Sequence, residues 1–501
     1  MHRIIRKDKL YLSNNKETNY SMKKLLLSAL LLLIGITVSN AQWYEFNVEP
    51  AGSLSSILKK QKVNNHSVRN LKLTGSLNSS DLITLRDMLG VDTLGQIVDS
   101  AATVANIDLS EARIVAGGNP FYDEFSNLGG RKIGTVDNEI PDYAFCKCHS
   151  IVTIKLPKDI TRIGDLAFLG GQSLTEVELG DKVELIGEDA FYGDTELEDI
   201  NLPSSLRTIG DEAFENCFKA KITTLPSNLD SIGTKAFMFV KNLQHAYLGS
   251  VTKLGTSVFY NCTGLLDATL NDNLEVLPKG TFYECDTLQS IHLPKNLKII
   301  EGSALTDTKY LKGIQLPEGL KYIGNQSLEL VGTGHGNLEI IIPNSVDSVG
   351  DYVLTAAGVK KVVFGSGIKK LGGRILNWSH VSDVYFLSTT PPELYFEDGV
   401  QKTFVEVNYD REKSNWFNFK IHVPSTAYND YITAPGWSEE NIKNIIVADA
   451  ETTGIKTVSG TGANATVVAR YNIGGARIDA SQKGLQILKM SDGSTRKVIV
   501  K

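Results

Sequence analysis

One phrase returns every 22 or 23 residues through the middle of this chain, and that period decides what the chain can fold into. LTEVELGDKVELIGEDAFYGDTE starts at Leu174, LEDINLPSSLRTIGDEAFENCFK at Leu197, LQSIHLPKNLKIIEGSALTDTKY at Leu288 and LKGIQLPEGLKYIGNQSL at Leu311. Each reads L-x-x-I-x-L, often Pro, a turn, L-x-x-I-G, then x-x-A-F. The last residue of the first motif falls at Leu156, Leu179, Leu202, Leu225, Leu248, Leu270, Leu293, Leu316, Ile342, Phe364 and Phe386. One longer step of 26 residues, between Leu316 and Ile342, contains the Gly-rich VGTGHGN from Val331.

The unit has a physical reading. Alternating apolar residues suit a short strand with one buried face. Proline after the strand, as at Pro157, Pro203, Pro294 and Pro317, stops it. The recurring glycine at 164, 187, 210, 233, 255, 324, 350 and 372 marks either positive φ or close approach of a neighbour. Ala and Phe, for example Ala213 and Phe214, should point inward from a short helical or extended turn. One unit cannot bury its own apolar face, but stacked units can. Eleven marked coils at ~4.8 Å per strand imply an array on the order of 50 Å long.

These motifs carry a resemblance. L-P-x-x-L-x-x-I-G-x-x-A-F-x-x-C-x-x-L resembles the leucine-rich repeats of the BspA-like family of bacterial surface proteins, over roughly residues 140–390. The expected fold is an α/β repeat solenoid, a short strand plus a turn or short helix per coil, with the solenoid at 111–390. Residues 42–110 read as an N-terminal cap, with a helix after Leu77 capped by Ser79, Ser80 or Asp81. Ala116–Asn138, with Phe121, Tyr122 and Phe125, reads as a surface loop. Residues 391–450 read as a C-terminal cap, whose Trp416, Phe417, Phe419 and Trp437 supply cap core.

The ends speak of export. From Met22 a basic pair, Lys23-Lys24, precedes an apolar run to Val38 and small residues before Gln42. Residues 22–41 read as a signal peptide and 1–21 as an upstream mis-start. Without residues 1–41 the chain keeps 44 basic and 55 acidic side chains, a formal net charge of −11. That balance disfavours nucleic acid, and no second apolar run offers a membrane span in the mature chain. Residues 451–501 read as a linker and a small C-terminal β-sandwich, with turns at 474–475, 483–484 and 492–493. YNIGGARI, KGLQILKMSDG and RKVIVK resemble type IX secretion sorting domains of Bacteroidetes. That resemblance implies engagement of the secretion machinery by residues 455–501, and an extracellular or outer-surface location. Without it, the location is periplasmic.

No catalytic signature appears: no G-x-S-x-G, H-E-x-x-H or phosphate loop, and no cofactor or metal set. IGDEAFENC, Ile209 to Cys217, holds acids and a thiol, but its Ile, Gly, Ala, Phe and Cys recur as core letters. Asp211, Glu212 and Glu215 vary and read as outward. Cys148, Cys217, Cys262 and Cys285 each follow a repeat Phe by three residues and read as packing groups. Cys262 and Cys285, on adjacent coils, could also form a disulfide. The functional candidates are therefore outward strand residues: Tyr247, His292, Ile341, Val363 and Tyr385. Around them one end is acidic, through Glu176, Glu178 and Asp199. The other is an apolar row, Ile341–Val363–Tyr385, which either binds a partner or is covered by the C-terminal cap. The resemblance implies adhesion to host matrix proteins, host cells or other bacteria. The alternative is a structural or polysaccharide-binding surface component.

Overall fold

A computed structural model describes residues 42–123, 132–404, 419–449 and three strands of the tail. The expected signal peptide at 22–41, residues 1–21, Phe125, Trp416 and Phe417 lie outside the described residues, as do the turn positions 474–475, Lys483 and 492–493. The repeats form a parallel solenoid of about 17 turns. The L-x-x-I-x-L strands stack in register: Thr153 pairs with Glu176 and that with Asp199, Ile154 with Val177 and that with Ile200. The column through Ile154, Val177, Ala246, Ala268, Ile340, Val362 and Val384 is buried. A second parallel ladder runs through the I-G segments, from Glu139–Ile140 to Lys253–Leu254 and from Val276–Leu277 to Glu393–Leu394.

Between the ladders, A-F lies in hydrogen-bonded turns rather than a helix. Alternate N–H groups there donate to the next coil: Leu166 to Glu188 O at 2.8 Å, Phe168 to Ala190 O at 2.8 Å, Asp189 to Asp211 O at 2.9 Å. Two left-handed residues per coil turn the backbone for this, such as Asp189 and Gly193, or Glu212 and Asn216. The repeat glycines themselves are not left-handed; they lie where backbones touch. A Cβ on Gly210 would stand 2.6 Å from Glu188 N, and one on Gly164 2.3 Å from Asp142 N. Of the two meanings the glycine left open, close approach is the correct one.

The repeat phenylalanines stack from Phe145 through Phe168, Phe191, Phe214, Phe237 and Phe259 to Phe282, with centroids 5.0 to 6.0 Å apart. Each is fully buried. Leu305 and Leu328 continue the column as buried leucines.

Each cap prolongs the outer strand ladder at its own end, in a separate sheet. Trp43–Val48, Asn70–Leu77 and Asn106–Asp108 pair in parallel, and Asn106–Asp108 pairs onward with Thr153–Lys155. Helix Ser79–Met88 begins one residue before the expected caps, at Asn78, in a capping box closed by Asp81. Buried Asp81 also accepts from Gly52 N at 2.6 Å and Leu54 N at 2.9 Å. The expected surface loop is instead a hairpin, Gly117–Asp123 with Lys132–Thr135, packed on this helix. Its Phe121 is buried and Tyr122 stacks on Tyr143 at 4.3 Å. Arg86, 1% exposed, joins the pieces. It donates to Tyr143 O (2.8 Å), Ala144 O (3.1 Å) and Asp92 O (2.9 Å), with Tyr122 against its guanidinium.

At the other end, Lys420–Val423 and Ile446–Ala448 extend the ladder beyond Asp383–Phe386. Buried Trp437 donates to Pro392 O at 2.9 Å and packs edge-on against Phe386 and Tyr431. With buried Phe419, it is cap core, as expected. In the tail, Val467–Asn472, Gly484–Met490 and Thr495–Val500 form one antiparallel three-stranded sheet. A sandwich requires a second sheet, which is absent among the described residues.

Gly210→Ala should lower the thermal midpoint by several degrees, because the methyl meets backbone on the adjacent coil. Ser257→Gly should leave it unchanged or raise it, because Ser257 is left-handed (φ 54) where Gly280 stands one coil on. Circular dichroism melts of the two variants check both outcomes.

Candidate partner-binding face

The outward side of the strand ladder holds every candidate residue, but only part of it is open. Tyr247, Thr269 and His292 stand side by side on His245–Leu248, Asp267–Leu270 and Ser290–His292. Tyr247 is 49% exposed, and His292 is exposed as well. His245 sits beside them in the flanking column, in register with Asp267 and Ser290. Its Nδ1 lies 2.8 Å from Asp267 Oδ2, and its ring is parallel to Tyr247 at 5.7 Å. The patch thus presents one ordered phenol with an imidazole behind it and a second imidazole two strands away.

The apolar row is open at one end only. Ile341 is 40% exposed, but Val363, in the same outward phase, is 1% exposed and is not an accessible candidate. Its register neighbours are Ile341 and Tyr385, whose side chains flank it on both sides. Tyr385 is itself sandwiched. His422 stacks on it at 4.2 Å, and the Lys361 ammonium sits 4.9 Å from its ring centre. His422 is tied to Asp383 (3.1 Å) and Asp449 (3.2 Å), so the last coils lock over Tyr385. The C-terminal cap thus covers the Tyr385 end of the row, while the Ile341 end stays open.

The acidic end is also less charged than its letters. Lys155 pairs with Glu178 at 2.7 Å, and Lys221 reaches Glu198 and Asp199 at 3.1 and 3.2 Å. Such exposed pairs contribute little stability, about 0–1 kcal/mol each, but they offset part of the local field. Beyond them Asn106 links Asn70 (2.7 Å) to Thr153 (3.0 Å) in a neutral ladder. Tyr247, His292 and Ile341 are what remains both exposed and unneutralised among the candidates.

The variable acids of IGDEAFENC divide by role. Asp211 accepts Thr234 N at 2.7 Å, as Asp165 accepts Glu188 N at 3.1 Å and Asp351 accepts Gly373 N at 2.6 Å. It is a link between coils, not a free surface acid. Glu212 pairs with Lys235 at 2.8 Å. Glu215 is buried rather than outward.

All five cysteines are free and buried. The Cys217, Cys262 and Cys285 thiols each donate to a phenylalanine carbonyl one coil back, at 3.1, 3.1 and 3.0 Å. The Cys262–Cys285 disulfide is therefore not formed in this structure. Burial pushes the Cys148 thiol up to about 12 and raises the others as well. These groups hold their protons and are poor nucleophiles. No group of three or more His, Cys, Asp or Glu suited to a metal ion occurs among the described residues. No described helix is long and apolar enough to cross a membrane.

One feature of the turn side escaped the pattern. Phe218, Phe239, Tyr260 and Tyr283 form a second aromatic line, with Tyr260 and Tyr283 stacked at 4.7 Å. Its signal was the aromatic residue one or two positions after the repeat Phe at 239, 260 and 283.

Two parallel ladders joined by turns define a leucine-rich repeat solenoid. Its array is of the BspA type: residues 138–266 and 252–382 match the family model for the BspA type leucine rich repeat region. Similar solved structures include a leucine-rich repeat protein from Bacteroides ovatus, 28% identical over 55% of this chain and 70% of its own, with a TM-score of 0.46. The pneumococcal vaccine antigen PcpA is 22% identical over 60% of this chain and 79% of its own, with a TM-score of 0.38. A leucine rich cell surface protein from Faecalibacterium prausnitzii is 17% identical over 50% and 84%, with a TM-score of 0.31. No curated protein matches the chain.

Titration with Ellman's reagent should find no fast-reacting thiol in the native protein and five after denaturation in guanidinium. A rapid native thiol would overturn the packing role.

Proposed function

We propose that this protein is a non-enzymatic, surface-presented scaffold that binds a protein partner through the open part of its strand face. The observation that carries the reading is the Tyr247–Thr269–His292 row. A half-exposed tyrosine stands on a rigid parallel sheet, oriented by His245, where neighbouring charges are already paired. Tyrosine in such a setting gives large contact area at small ordering cost and dominates many interfaces. Ile341 adds a separate apolar contact farther along the face. The BspA-type array supports a surface role, and host matrix proteins, host cells or other bacteria are the partners that the family resemblance suggests. The leader-like segment at 22–41 and the sorting-like tail at 455–501 support export, with the tail engaging the secretion machinery.

The full-length exported chain should be tested by biolayer interferometry against immobilised matrix proteins and against glycans. Binding to a protein, weakened at least tenfold by Tyr247→Ala and several-fold by His292→Ala with the melting temperature unchanged, supports the reading. Val363→Ala should instead lower stability by about 1–2 kcal/mol and leave affinity unchanged. Binding to glycans alone would favour the polysaccharide alternative, and unchanged affinity in both face variants would remove this face from the interface.

A further inference from the structure

The two coils from Gly187 to Cys217 concentrate carboxyl groups in places where a negative charge has little support. Asp194 stands three residues after Phe191, in the column that holds cysteine at 148, 217, 262 and 285. It is 0% exposed. Its Oδ1 accepts Gly171 N at 2.6 Å, and its Oδ2 has no hydrogen-bond partner. The titratable groups facing it are the thiols of Cys217 and Cys146, both buried and neutral. Nothing there offsets the desolvation of a carboxylate.

A second group lies on the turn side of the same coils. Asp189 is partly buried beside the carboxylates of Glu188, Glu212 and Glu215, with Lys235 the one cation acting on it. Lys235 is already engaged by Glu212 at 2.8 Å, and Glu215 Oε2 lies 3.7 Å from it without a hydrogen bond. Two acids thus share one ammonium, with Asp189 beside them.

We infer that Gly187–Cys217 is a pH-responsive segment of the solenoid, tight when Asp194, Asp189 and Glu215 are protonated and loosened when they ionise. In a solenoid each coil contacts only its neighbours, so such a change opens locally rather than everywhere. The sign follows from proton binding. Burial raises Asp194 well above the carboxyl range; burial and then the neighbouring carboxylates raise Asp189 to about 6, and burial raises Glu215. The folded segment therefore binds more protons than the open one. Its extra stability is complete below about pH 4, the ordinary carboxyl range. It is lost as pH rises, through about 6 for Asp189 and over a longer range for Asp194.

Hydrogen–deuterium exchange of the full chain between pH 5 and 8, corrected for intrinsic exchange rates, tests this. Peptides within 187–217 should show an opening equilibrium that rises by up to about tenfold per pH unit from one such group. Peptides from the coils after Gly255 should change less. Asp194→Asn should flatten the dependence, leaving a residue that levels off above the Asp189 range. Asp194→Cys, which copies the residue of the next coil, should do the same and guards against a folding defect in the amide variant. The same slope in wild type and both variants, or an equal slope in every coil, would overturn the inference.

Discussion

Each coil hands its hydrogen bonds to the next one. The outer strand, the I-G strand and the turn between them all pair with their counterparts 22 or 23 residues away. Backbone groups buried inside such a stack have no water to turn to, so the period must be kept wherever the stack is kept. That single requirement explains the letters. Glycine recurs where one coil's backbone meets the next, as Gly210 meets Glu188 N. Left-handed residues recur two positions later despite carrying side chains, as at Asp189, Glu212 and Lys235. Each costs roughly 1–2 kcal/mol of local conformational energy, offset by the hydrogen bonds that the turn makes available.

Repetition also converts side chains into columns. Phenylalanine stacks on phenylalanine, and cysteine thiols answer phenylalanine carbonyls from the coil before. Asp165, Asp211 and Asp351 cap N–H groups of the coil after. A column tolerates exchange of its members when the shape and the polarity fit. Leucine for phenylalanine at 305 and 328 keeps the core closed. Aspartate for cysteine at 194 keeps the shape but brings a titratable group into a dry place. The ends are closed by non-repeating chemistry. Arg86 gathers carbonyls and rings from three segments, and Trp437 seats its indole N–H on Pro392 while covering the final phenylalanine.

For recognition, the array supplies stiffness and position. The face is a row of strand residues held by their neighbours, so a ligand would pay little to order it. Most of its charge is spent on neighbouring coils, through pairs such as Lys155–Glu178 and Lys221–Glu198. What differs from that background is the aromatic and imidazole group on three central strands. Specificity in a repeat protein arises at such departures from the consensus, because the consensus letters are already committed to the core.

Much of this was legible in the letters. The period, the inward Leu, Ile, Ala and Phe, the packing role of the cysteines and the placing of Tyr247 and His292 on one outward column all follow from spacing, since a residue's phase in the coil fixes which way it points. Accessibility is a different quantity. Val363 has the outward phase but is shielded by the side chains on adjacent strands, and Tyr385 is covered by His422 from a coil 37 positions on. Phase likewise could not tell that Asp211 reaches across to Thr234, that Glu215 folds inward, or that the hairpin carrying Phe121 packs against helix Ser79–Met88. The sequence by itself determined the stack and the direction of each side chain, because those depend on one coil and its repeat. Only the tertiary structure decided which of those side chains remain open to a partner, because that depends on the length and charge of neighbours that do not repeat.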